Sequence, residues 1–114
     1  MEHDKRPWGQ YWVLEDEKTY KVKRVEVDPK QRLSYQYHNK RSEIWTIVEG
    51  VGRVTIDGEV TDYHVGDVVR IPQGAKHRIQ NPNESGVCTF IEVQLGTYFG
   101  EDDIVRLQDD YARE

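Results

Sequence analysis

In Gly52-Arg53-Val54-Thr55-Ile56-Asp57-Gly58-Glu59-Val60-Thr61-Asp62-Tyr63, two alternating runs flank Asp57-Gly58. Alternation with period two marks a strand that lays one face on a core, and Asp-Gly supplies the left-handed backbone of a tight two-residue turn. The stretch therefore predicts a hairpin. The same texture extends outward in both directions. Strands are predicted near Tyr11–Leu14, Tyr20–Val27, Arg32–His38, Glu43–Glu49, Gly52–Ile56, Glu59–Tyr63, Val68–Ile71, His77–Gln80 and Cys88–Leu95. Turn residues separate them at Asp28-Pro29-Lys30, Val65-Gly66-Asp67, Pro72-Gln73-Gly74 and Asn81-Pro82-Asn83. Many short strands at near-regular spacing predict an all-β sandwich or barrel. The tail reads differently: Glu101-Asp102-Asp103 precedes Ile104, Val105, Leu107 and Tyr111, a spacing that predicts a short amphipathic C-terminal helix.

The bulk properties bound what such a fold does. A chain of 114 residues is expected to form a single domain, residues 1–114, and 36% hydrophobic residues with three Trp and seven Tyr exclude a disordered chain. A formal charge of −5 lacks the basic footprint of a nucleic-acid binder. The lone cysteine, Cys88, excludes an internal disulfide, and its neighbours Val87 and Thr89 predict a buried strand thiol. No apolar run suits a membrane span or a secretory leader, so a cytoplasmic protein that binds neither nucleic acid nor membrane is expected.

Residues of metal-ligand type interrupt the β pattern. In Arg32-Leu33-Ser34-Tyr35-Gln36-Tyr37-His38, alternation places Arg32, Ser34, Gln36 and His38 on one face, with Leu33, Tyr35 and Tyr37 on the other. Glu43 opens the next strand and His77 a later one. Two imidazoles, a carboxylate and an amide oxygen form a mixed N/O set that suits a divalent ion, zinc foremost, with Co, Mn, Ni or Fe as alternatives. The set lacks the thiolates of a structural zinc site. His3 and His64 read as ordinary surface or loop residues.

The spacing resembles the cupin superfamily. Gln36-x-His38-x4-Glu43-x6-Gly50 is similar to the first cupin motif, with Gln36 in place of its first His. Gly66-x5-Pro72-x-Gly74-x2-His77-x3-Asn81 is similar to the second at every position. The resemblance implies an all-β cupin jelly-roll (double-stranded β-helix) barrel, with Gln36, His38, Glu43 and His77 as metal ligands. It narrows further. Arg6-Pro7-Trp8-Gly9 with Tyr11, Tyr20-Lys21-Val22-Lys23-Arg24, the run Gln36 to Trp45, the run Glu92 to Arg106 and Asp110-Tyr111-Ala112-Arg113 resemble the cupin domain of type II phosphomannose isomerases. That domain is usually joined to a mannose-1-phosphate guanylyltransferase. No Gly-rich nucleotide-binding segment precedes Arg6, so guanylyltransferase activity is not expected of this chain. Ile44 stands where that family commonly has His, and Asn39-Lys40 replaces a His-rich pair.

The resemblance implies interconversion of mannose 6-phosphate and fructose 6-phosphate through an enediol. Such chemistry needs a base, a stabiliser for charge on oxygen, and a grip on phosphate. Arg32, Arg41 and Arg106 are the expected substrate-binding cations. Arg78 follows His77, so alternation points it away from the metal. Lys23 and Glu92 are the expected catalytic residues. Lys23 shares a face with Val25 and Val27, and a cation on a core-facing position calls for a partner or a ligand. Glu92 serves as base only if it faces the cavity, whereas its neighbours Ile91 and Val93 would ordinarily claim the core and send it outward. Lys23, or a hydroxide on the metal, is the alternative base. The same fold also accommodates a non-catalytic sugar-binding or regulatory cupin, or another metal enzyme such as a small dioxygenase. A homodimer paired through strand edges is expected.

Overall fold

The computed structural model describes residues 2–110. Its strands are β1 (Glu2–Arg6), β2 (Gly9–Asp16), β3 (Tyr20–Val27), β4 (Tyr35–His38), β5 (Arg41–Glu49), β6 (Gly52–Ile56), β7 (Glu59–Tyr63), β8 (Val68–Ile71), β9 (His77–Gln80), β10 (Cys88–Gly96) and β11 (Ile104–Gln108). They form two antiparallel sheets, ordered β1-β2-β3-β10-β5-β8 and β11-β4-β9-β6-β7. This is the cupin jelly roll. No helix among the described residues is long and apolar enough to cross a membrane.

The Asp57-Gly58 hairpin forms as the sequence predicts. Asp57 and Gly58 take φ of 47° and 87°, and Ile56 pairs with Glu59 across the turn. These are the left-handed conformations that make this dipeptide a hairpin turn. A second glycine is fixed by crowding: a Cβ at Gly96 would lie 2.2 Å from the Lys40 carbonyl oxygen. That close approach seats the end of β10 against Arg41, its cross-strand partner.

Alternation then sorts each strand into an inward and an outward set. Val27, Ile47, Val54, Ile79, Cys88 and Phe90 are buried almost completely and form the apolar end of the barrel. Further along the same strands the inward positions turn polar: Lys23 on β3, Arg41 and Glu43 on β5, His77 on β9, and Glu92 and Gln94 on β10 are all buried. One end of the barrel is thus a hydrocarbon core, and the other is a chamber of ionisable groups.

Two expectations are corrected. Among the described residues, the tail is not a helix. Glu101–Asp103 is one 3-10 turn, and Ile104–Gln108 is a strand paired with β4. The cause is local and tertiary together. The Asp103 carboxylate, read as a helix-start residue, instead accepts the Asn39 and Lys40 amides at 3.2 and 2.9 Å. That contact aims the β-branched pair Ile104-Val105 along the open edge of β4, whose backbone groups need partners. Tyr111, part of the expected helical pattern, and the tail residues Ala112 and Arg113 lie outside the described residues. The second correction concerns Arg32 to Ser34, which precede β4 rather than belong to it; the backbone of Arg32 forms an isolated bridge to Gln80. Strict alternation therefore fails there, and Leu33 and Ser34 line the same cavity. One strand has no counterpart in the pattern: the charged Glu2–Arg6 run of β1 gives no apolar alternation yet pairs residue for residue with β2.

Candidate functional site

The polar end of the barrel brings together residues far apart in sequence. His38 ends β4, Glu43 lies near the start of β5, and His77 opens β9. Potential ligand atoms on these three buried side chains all lie within 4.8 Å of one another. Trp45 forms their floor: its ring meets His77 edge-on at 5.7 Å between centroids, and its indole N–H donates to Glu43 Oε1 at 2.9 Å.

The imidazole of His77 is oriented for a ligand. Nδ1 contacts the Ala75 carbonyl at 2.9 Å, so Nδ1 carries the proton and the Nε2 lone pair faces the cluster. That Nε2 is buried and has no hydrogen-bond partner. An orphaned acceptor is costly in a dry interior, and a cation at this point would satisfy it. His38 is held neutral, its pKa lowered to about 3 by burial first, then by the charge of Arg41. Two imidazole nitrogens and a carboxylate oxygen form a donor set that fits a divalent ion. Burial alone would raise the Glu43 pKa, but Arg41 and the Trp45 N–H lower it and keep the carboxyl ionised. The chain therefore carries a His/Glu site suited to a metal ion. Gln36, the fourth expected ligand, is the cross-strand partner of His77 and lines the adjoining cavity, where its Oε1 accepts from Ser34 Oγ at 2.6 Å.

That cavity is lined by Lys23, Gln36, Arg41, Glu92 and Arg106, with Arg6 and Tyr11 among the others. Glu92 faces inward, against the expectation that Ile91 and Val93 would claim the core. The outer face of β10 explains the reversal. Val93 lies between Val22 and Ile44, and Ile91 between Arg24 and Thr46, so both stay half-covered on the outer face. Burial, and then the Glu43 charge, raise the Glu92 pKa, while Lys23 and Arg41 partly offset them. Gln94 Nε2 donates to Glu92 Oε1 and fixes the carboxylate. Lys23 is buried, with Nζ 4.4 Å from the Tyr11 ring centroid, and is paired in register with Glu92.

Among the expected phosphate-binding cations, the structure brings two to the cavity. Arg41 lies deep, and Arg106 on β11 opposes Gln36 on β4. The Arg106 Nε is buried without a hydrogen bond. Arg32 is elsewhere: it makes a two-pronged contact with Asp110 at 2.6 and 2.8 Å and does not line the cavity. Alternation failed as a guide there because Arg32 is not within a strand. Arg78 points away, as expected, and ties the chain before β4 to β11 through Leu33 and Gln108. His3 stacks on Trp12 and His64 is exposed, and neither belongs to the cluster. Ile44 lies on the outer face of β5, so the departure from the family pattern there leaves the cavity lining unchanged. Sequence reasoning missed Arg6 and Gln94 as site residues. Arg6 sits in a strand without apolar periodicity, so only its place in Arg6-Pro7-Trp8-Gly9 marked it. Gln94 was legible as the inward neighbour of Glu92 once Glu92 itself is known to face inward.

Comparisons with known proteins agree with the fold. The family model described as "Mannose-6-phosphate isomerase C-terminal" matches residues 2–109. A mannose-1-phosphate guanylyltransferase of Salmonella montevideo is 44% identical over 108 residues, covering 95% of this chain and 23% of that protein. The chain thus spans less than a quarter of the length of that relative. Among solved structures, KdgF from Halomonas sp. superposes with a TM-score of 0.76 at 18% identity, covering 87% of this chain and 86% of that one. The Cnp3 cupin domain of Schizosaccharomyces pombe gives a TM-score of 0.72 at 15% identity, covering 76% and 64%. At these identities the two structures speak to the fold alone.

Proposed function

Because this chain belongs to the mannose-6-phosphate isomerase C-terminal family, we propose that it interconverts mannose 6-phosphate and fructose 6-phosphate by enediol proton transfer. The observation that carries the reading is Glu92, a buried carboxylate sharing one cavity with Lys23, Arg41 and Arg106, beside the His38–Glu43–His77 cluster. An aldose–ketose isomerisation moves one proton between neighbouring carbons, and a single well-placed base performs both halves. Glu92 removes the proton from C2 of the aldose and returns it to C1, while the hydroxyl proton on O2 passes to O1 through the enediol. Its raised pKa makes it a stronger base than a surface carboxylate, and the Gln94 amide holds it in place.

The cations divide by depth. Arg106 and Arg6, the more exposed, stand toward the mouth and take the phosphate. Lys23 and Arg41, buried, meet the negative charge that develops on the sugar oxygens. A divalent ion on His38, Glu43 and His77, with Gln36 beside them, would add Lewis-acid polarisation of those oxygens, and zinc is the ion proposed, with Co, Mn, Ni or Fe as alternatives.

The test is conversion of mannose 6-phosphate by the chain loaded separately with zinc, cobalt, manganese or iron. Glu92→Gln should lower kcat by about 10²–10⁴-fold without altering the circular dichroism spectrum. His77→Ala should remove the metal-dependent turnover. A wild-type protein that binds metal and turns over no mannose 6-phosphate would end the isomerase reading.

A further inference from the structure

Arg41 holds an unusual position for a cation. Its Nε donates to Glu43 Oε2 at 2.9 Å, and a terminal nitrogen contacts His38 Nε2 at 2.8 Å, with the whole side chain buried. Two of the three candidate metal ligands thus already contact a positive charge. The conflict is sharpest at His38. A guanidinium only donates hydrogen bonds, so His38 Nε2 is the acceptor. A neutral imidazole has one lone pair, and Arg41 uses it. Whichever ring nitrogen ligates a metal ion, that lone pair must first be released. Glu43 has lone pairs to spare, but a divalent ion beside a guanidinium within 3 Å of both ligands meets strong repulsion in a dry interior.

We infer that Arg41 and a divalent metal ion compete for His38, so that metal binding expels the guanidinium from the cluster toward the cavity it already borders. The inference rests on the metal site proposed above. Its consequence is a coupling: loading the ion turns Arg41 from an internal counter-ion into a cation offered to an anionic ligand beside Lys23 and Gln36. By linkage, an anion that draws Arg41 into the cavity strengthens metal binding by the same factor. Arg41 is then a positioning residue for the metal as well as a binding residue for the substrate.

The test follows the arginine rather than turnover. In the ¹⁵N-labelled chain, the Arg41 side-chain Nε–H resonance is identified by its absence from Arg41→Lys. Zinc is then added while binding is measured by calorimetry. The expected result is a shift or loss of that resonance in step with zinc occupancy. Arg41→Met, which removes the competitor, should bind zinc about tenfold more tightly, since an occupied site weakens apparent affinity by the fraction of time it is blocked. Zinc binding that His77→Ala abolishes, with the Arg41 resonance unmoved, overturns the competition and leaves the metal site standing. So does an affinity that is unchanged or weaker in folded Arg41→Met. Failure of the wild-type chain to bind zinc or cobalt overturns the metal site and the competition together.

Discussion

Cys88 and Glu92 occupy alternate inward positions on β10 and have opposite surroundings. Cys88 sits in the apolar end, fully buried, and burial with the Glu49 charge pushes its thiol up to about 11 from 9.0. At pH 8 about one molecule in a thousand carries the thiolate, so Cys88 should resist Ellman's reagent until the chain unfolds. The sign of its pH linkage follows. A folded-state pKa above the unfolded value contributes stability that is whole below pH 9 and is lost as pH rises toward about 11. Urea titrations should show wild type losing more stability than Cys88→Ala across that window. An equal loss in both proteins would remove the linkage. Glu92, four residues on, faces a polar chamber in which Lys23, Arg41 and Gln94 answer its charge. The same inward register thus carries an inert thiol at one end and the proposed base at the other.

At the scale of elements, β11 shows a tertiary contact overriding a local preference. The spacing of Ile104, Leu107 and Tyr111 suits a helix, and Glu101-Asp102-Asp103 suits its start. What decides the outcome is that Asp103 finds the Asn39 and Lys40 amides while β4 offers an unpaired edge. Pairing then places Arg106 against Gln36 and brings it to the cavity. Asp103→Ala should therefore cost about 1–3 kcal/mol, because two backbone donors lose their acceptor. Asp103→Asn, which keeps a carbonyl oxygen, should cost less. Both are read from urea midpoints, and equal midpoints for all three proteins would show that the turn anchors nothing. If the pairing of β11 builds the cavity mouth, Asp103→Ala should also raise KM for the sugar phosphate more than it lowers kcat.

At the scale of the whole molecule, the barrel gathers buried charge at one end and sets it on an apolar base. Phe90, Ile47 and Ile79 fill that base without measurable exposure, and Trp45 packs on Phe90 at 4.9 Å while it flanks the cluster. The hydrocarbon end supplies the stability that a chamber of ionisable groups does not. An ion that binds the folded cluster and not the unfolded chain adds to that stability by mass action, about 2.7 kcal/mol at a hundred times its Kd. Zinc should therefore raise Tm by on the order of 10 °C, reversed by EDTA and absent in His77→Ala. A Tm indifferent to zinc would speak against the cluster as a metal site.

The amino-acid sequence by itself determined the all-β class, most strand positions and the ligand spacing, because these rest on local chemistry. Alternation reports which residues share a face, Asp57-Gly58 can close a tight hairpin, and the intervals between Gln36, His38, Glu43 and His77 need no knowledge of neighbours. Only the tertiary structure decided which face of β10 is inner, that Ile104–Gln108 is a strand, and which arginines reach the cavity. Glu92 turns inward because the neighbours of Ile91 and Val93 cover the outer face; Arg32 stays outside because its chain is not yet a strand. Arg41 was legible as a cation of the site, but its contact with His38 was not. That contact depends on how two strands from different sheets meet, which no pattern along a single strand records.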